Sequence, residues 1–144
     1  MGRHADLVIL DVGSHVDSSM QQCWQQADEL VMVTTPQPNA IMDAYATLKS
    51  ITPTPAQQSI YCTVNQVAAN PEESTTVFER LERSGRRCLQ LGMQGLPAIP
   101  REPKLQTWTV ATPRTDAHDC PATAALRLSA EILATPHETH SEAA

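Results

Sequence analysis

The sequence predicts an α/β fold: a mainly parallel sheet with helices packed beside it. Three observations carry that expectation. Short apolar runs rich in branched residues recur at Leu7–Leu10, Leu30–Thr34 and Ser59–Val64. Stretches with apolar residues at helical spacing separate them, and strands alternating with helices give parallel pairing. The chain has 144 residues, enough for one domain that buries roughly 68–70% of its unfolded surface.

Composition narrows the function classes. Hydrophobic residues make up 41% and charged residues 18%, as in a globular protein, while aromatics at 3% leave the core to Leu, Val, Ile, Met and Ala. A net charge of −6 argues against a sequence-independent grip on nucleic acid, which needs a basic face. Cys23, Cys62, Cys88 and Cys120 lie far apart with no Cys-x-x-Cys pair, so zinc patterns and a disulfide framework are not expected. They read as reduced thiols, mostly packing residues, of a cytoplasmic protein. No stretch approaches the ~18 apolar residues of a membrane span. The first residues run straight into the opening apolar run, so no signal peptide is expected, and the polar tail offers no amphipathic membrane anchor.

Taken in order, Leu7 to Leu10 reads as a strand buried on both faces, with Asp11 at its carboxyl end and Gly13 giving the backbone room to approach a ligand. Asp17 or Ser18 is a plausible cap for a short helix with Met20, Cys23, Trp24 and Ala27 at helical spacing. Leu30–Thr34 is the second strand, stopped by Thr35-Pro36-Gln37-Pro38. Asn39 is expected to cap a longer helix whose inner face is Ile41, Ala44, Tyr45, Leu48 and Ile51. Thr52 to Pro55 is a loop by composition. Ser59–Val64 is the third strand, ending at Asn65. A helix is expected from Pro71 to about Leu89, with Val77, Phe78, Leu81 and Cys88 facing in and its charges on a solvated face.

The remaining third is less regular. Gly95 to Pro100 is a short fourth strand weakened by its prolines. From Arg101 to Asp119 either a helical turn near Leu105 and Trp108 or an edge strand at Thr107 to Ala111 fits. Pro121 at a first helical position opens a last helix with Ala122, Ala125, Leu126, Ser129, Ile132 and Leu133 on one stripe. The expected domain is therefore residues 1–135, and residues 136–144 read as a disordered tail, His137 and His140 included.

In open α/β sheets the carboxyl ends of the strands form the ligand crevice. Asp11 with Gly13, Thr34-Thr35-Pro36, and Asn65 are all expected there. A carboxylate for a metal-bound water, hydroxyls near phosphate and an amide able to read an adenine edge together suit a magnesium nucleotide. From spacing alone the same residues are equally a strand-end acid, a proline turn and an Asx turn. A receiver-type phosphoacceptor fits less well, because it needs an earlier acidic pair and a later Lys where Asn65-Gln66 stands.

Four segments together resemble MinD/ParA-type ATPases with a deviant Walker motif, and most of all the branch that regulates flagellar number and placement. They are Ala5-Asp6-Leu7-Val8-Ile9-Leu10-Asp11-Val12-Gly13, the long run from Ala27 through Thr34-Thr35-Pro36-Gln37-Pro38-Asn39 to Asp43-Ala44-Tyr45, Val64-Asn65-Gln66-Val67, and Leu96-Pro97-Ala98-Ile99-Pro100-Arg101. The resemblance runs from Ala5 to about Leu133 and covers the later part of such a protein. It implies a P-loop NTPase-like fold, with ATP and magnesium as cofactors. It makes Asp11 the Walker B acid holding magnesium through water, and Gly13 part of the switch that senses the γ-phosphate. Asn65 becomes the adenine-reading residue, Pro100 and Arg101 the loop beside the base, and Thr35 and Pro36 a turn near the nucleotide and the dimer face. A protein partner or a homodimer is implied, and no catalytic residue is carried over.

The departures set the functional expectation. The 144 residues contain no Gly- and Lys-rich Walker A loop and no switch I acid, Val12 stands where Thr is usual, and Ser14-His15 replaces a small pair. His15 reads as a loop histidine rather than a base, because nothing near it orients its second nitrogen. A truncated or degenerate homologue that does not hydrolyse ATP alone is expected, with a non-catalytic interaction module as the alternative. In the resembled fold another strand lies between the Walker B strand and Leu30–Thr34. Its absence predicts a marginal or aggregation-prone monomer unless those two strands pair directly.

Overall fold

The computed structural model describes residues 5–13, 18–51, 58–68, 71–106 and 120–135. Its elements run α1 (Ser18–Gln26), β1 (Glu29–Thr34), α2 (Pro38–Ile51), β2 (Ser59–Val67), α3 (Pro71–Ser84), a π-helical turn (Gly85–Leu89), β3 (Gln94–Gly95), β4 (Ile99–Pro100), α4 (Pro103–Gln106) and α5 (Pro121–Ala134). All strand pairs among the described residues are parallel, so the expected α/β class holds.

β2 is the axis of the sheet. On one side it pairs with β1 along the whole of that strand, from Glu29 opposite Ser59 to Thr34 opposite Val64. On the other it pairs first with β3 and then with β4. Its residues from Ile60 to Val64 are all buried, as expected of a strand covered on both faces. Leu48 of α2 and Val77 and Leu81 of α3 form one core with Ile60, Cys62 and Val64, and Leu30 and Met32 of β1 pack against it. The two helices therefore cover one face of the sheet.

The opening run departs from expectation. Residues 7–13 form neither helix nor strand, and Leu7, Val8, Ile9 and Leu10 are 75%, 57%, 83% and 62% exposed. Apolar pattern reports a tendency to be buried, but a strand also needs a neighbour to hydrogen-bond. Among the described residues none is supplied, and the run does not take up the free side of β1. β1 is consequently an edge strand among the described residues, with Val31 and Val33 on its outer face 46% and 58% exposed.

Other differences are local. Pro38 rather than Asn39 opens α2, with Ile41 N–H bonding to Gln37 O at 3.2 Å, because proline's fixed φ suits a first helical position. β2 continues past Asn65 to Val67 because β4 gives it a further partner. α3 widens into the π turn, so inner positions recur every four residues: Val77, Leu81 and Gly85 are buried and Leu89 packs against the core. Cys88, expected to face in, is exposed. In α5, Ala122 and Ser129 are buried as expected, but Leu126 is half-exposed. The weak fourth strand is in fact two pieces, β3 and β4, broken by Leu96-Pro97-Ala98. A helical turn, α4, carries Leu105. The readings at Ser14-His15 and Asp17, the Thr52 to Pro55 loop, Trp108 with the Thr107 to Ala111 edge strand, and the tail from residue 136 lie outside the described residues.

Candidate nucleotide-proximal site

Parallel pairing places the carboxyl ends of β1 and β2 together. Because Thr34 stands opposite Val64, Thr35 follows on one strand at the level where Asn65 follows on the other. The Thr34 hydroxyl is buried and donates to Ala40 O at 3.2 Å, pinning the proline turn to the first turn of α2. Thr35 and Pro36 are half-buried at that rim.

Asn65 meets the Pro100 loop through β4. Asn65 pairs with Ile99 and Val67 with Pro100, so two steps on β2 match one on β4. Gln66 absorbs the extra residue by adopting φ 59°, a left-handed conformation that an L residue takes only where the geometry demands it. Its N–H bonds to the Asn65 side-chain oxygen at 2.8 Å, which aligns the amide. Arg101 N–H donates to Val67 O at 2.9 Å, holding the exposed Arg101 beside the same strand end. Two further ties fix the loop: Leu96 N–H to Cys62 O at 2.8 Å, and the Thr63 hydroxyl to Pro97 O at 2.9 Å. Asn65, Pro100 and Arg101 are thus brought together, with Thr35 and Pro36 on the adjoining strand.

Asp11 and Gly13 are placed differently. Gly13, at φ 65°, donates its N–H to Asp11 Oδ1 at 3.2 Å, an Asx-type turn on an exposed segment. The segment is not a strand of the sheet, so Asp11 does not stand at a strand end. Among the described residues no three His, Cys, Asp or Glu side chains gather as a metal site. A single exposed carboxylate fits magnesium only as a partial ligand, the rest coming from water and phosphate oxygens.

Two cysteines acquire distinct environments. Burial pushes the Cys62 thiol up to about 11, which suits a packing residue in the core. Cys120 precedes Pro121 at the start of α5, the helix that packs on β4. Hydrogen bonding with Thr123 holds its thiol below the ordinary value, with Sγ and the Thr123 hydroxyl 3.5 Å apart. The Cys120 N–H also donates to that hydroxyl at 3.2 Å. Cys-Pro-Ala-Thr has the spacing of a capping box, a signal in the sequence that apolar periodicity alone passes over.

No protein-family model matches the chain. Over 76 residues, 53% of the chain, it is 34% identical to the flagellum site-determining protein YlxH of Helicobacter pylori. The matched region is 25% of that relative, so the chain spans about a quarter of its length. Among the described residues no helix is long and apolar enough to cross a membrane.

Proposed function

We propose that this chain is a MinD/ParA-type homologue of the flagellar number and placement branch that retains the base side of a nucleotide site. The observation that carries the reading is the union of Asn65 with Pro100 and Arg101 at the carboxyl end of a parallel sheet. Similarity to a flagellum site-determining protein supports it. In this reading the Asn65 amide reads the adenine edge, Pro100 and the Arg101 stem lie beside the ring, and Thr35-Pro36 borders the nucleotide and a protein partner or second copy. Asp11 and Gly13 take up magnesium and γ-phosphate duties only in a state where residues 5–13 join the sheet. When bound, magnesium would neutralise phosphate charge. Without a Walker A loop in its 144 residues the chain binds weakly, does not hydrolyse ATP alone, and acts in the cytoplasm.

An NMR titration tests this. ATP should shift the Asn65 side-chain amide and the Arg101 N–H with an affinity near about 1 mM, adenosine should compete, and magnesium should add little. Asn65→Ala should abolish the shifts while leaving the rest of the spectrum in place. No shift up to about 10 mM ATP removes the nucleotide reading. It would leave the second reading, a non-catalytic interaction module, which the exposed Leu7–Leu10 run and the open β1 edge favour.

A further inference from the structure

Two parts of this chain lack what the other has. Leu7-Val8-Ile9-Leu10 is an uncharged apolar run with strand-forming residues and, among the described residues, no strand neighbour. Among the described residues β1 has β2 on one side and no strand on the other, so its outer row of N–H and C=O groups is a template for another strand. Its own apolar stretch, Leu30-Val31-Met32-Val33, is also four residues long. Val31 and Val33 offer a branched surface against which branched cross-strand neighbours pack well. Among the described residues of one copy the two parts stay unpaired.

We infer that two copies of the chain exchange these parts, the Leu7–Leu10 run of each adding as a strand to the free β1 edge of the other. The occupant follows from the pairing: both orphaned elements belong to the same chain and match in length and apolar character. Reciprocal exchange in a two-fold dimer uses both at once, so the exchange is complete at two copies. The geometry is strand addition, in which main-chain hydrogen bonds supply the attachment and alternate side chains the fit. The inference does not depend on nucleotide, so its failure and that of the proposed function are separate events.

Sedimentation equilibrium on the 144-residue chain tests it, with circular dichroism as a check on folding. The expected particle is twice the 15.7 kDa of one chain. Val8→Lys with Ile9→Lys removes the added strand, and Val31→Lys with Val33→Lys blunts the edge that receives it. All four positions are exposed, so each double variant should keep its helical signal while its dimer weakens at least about tenfold, to monomer at working concentration. A mixture of the two should recover heterodimer, because one intact run and one intact edge remain. Failure of that mixture to associate points to β1 pairing with its own copy and overturns the proposal. A monomeric parent chain overturns it as well, including one whose Leu7–Leu10 amides are protected by pairing within the molecule. So do open-ended oligomers, or a dimer indifferent to both pairs of substitutions.

Discussion

β2 and the Leu7–Leu10 run both carry a strand expectation and have opposite fates. The run is wholly apolar and β2 is mixed, with only Ile60, Val64 and Val67 branched and apolar, yet β2 is paired on both sides and buried from Ile60 to Val64 while the run is bare. The difference does not lie in hydrophobicity. β2 has β1, β3 and β4 to satisfy its backbone, and α2 and α3 to cover the side chains of one face, Ile60, Cys62 and Val64. A strand is thus a property of a neighbourhood rather than of a segment.

The sharpest way to break that comparison is to cut equally apolar atoms from both places. Leu48→Ala, at a fully buried position of α2, should cost about 2–5 kcal/mol in urea unfolding. Ile9→Ala should fall within about 0.5 kcal/mol under conditions where the chain is monomeric. Equal losses would show that the run is buried in solution after all.

A second contrast uses the thiols. The Cys62 value is raised from the ordinary 9.0 to about 11, so the neutral thiol is the form the fold favours. Its contribution is complete below about pH 9 and is lost as pH rises toward 11, because the unfolded chain releases that proton first. Stability should therefore fall over that window, by up to about 3 kcal/mol, and Cys62→Ala should flatten the slope. Thiol labelling of the native protein at neutral pH should modify exposed Cys88 well before Cys62.

The smallest effect concerns the loop that β2 holds in place. Thr63→Val removes the hydroxyl bond to Pro97 O and should cost about 1 kcal/mol. Hydrogen exchange should show the Arg101 N–H loosening with it. If Arg101 keeps its protection, the β4 ladder alone positions the loop.

Much of this layout is legible in the residues. Glu29–Thr34, Pro38–Ile51 and Pro121–Ala134 follow their apolar periodicity and their prolines closely. The carboxyl-end position of Thr35-Pro36 and Asn65 follows from two adjacent parallel strands. What cannot be read locally is anything set by a partner far along the chain. The extension of β2 to Val67 depends on Ile99 and Pro100, the left-handed Gln66 on the mismatch between those strands, and the bare opening run on a ladder it does not join. Asp11 departs from its expected strand end for that last reason. Cys88 departs from its expected inward face because a π turn changes helical phase without any local signature in Gly-Arg-Arg-Cys-Leu.

That wide turn also acts as a frame adjuster for everything downstream. By spending one residue more per revolution, it sets where the chain leaves the helix, and pairing with Tyr61 and Cys62 of β2 then places β3 opposite the α3 side chains. The residue delivered there is Gly95, where an added Cβ would stand 3.3 Å from the Phe78 ring. Gly95→Ala would press its methyl on that ring, a steric collision felt well away from the turn itself.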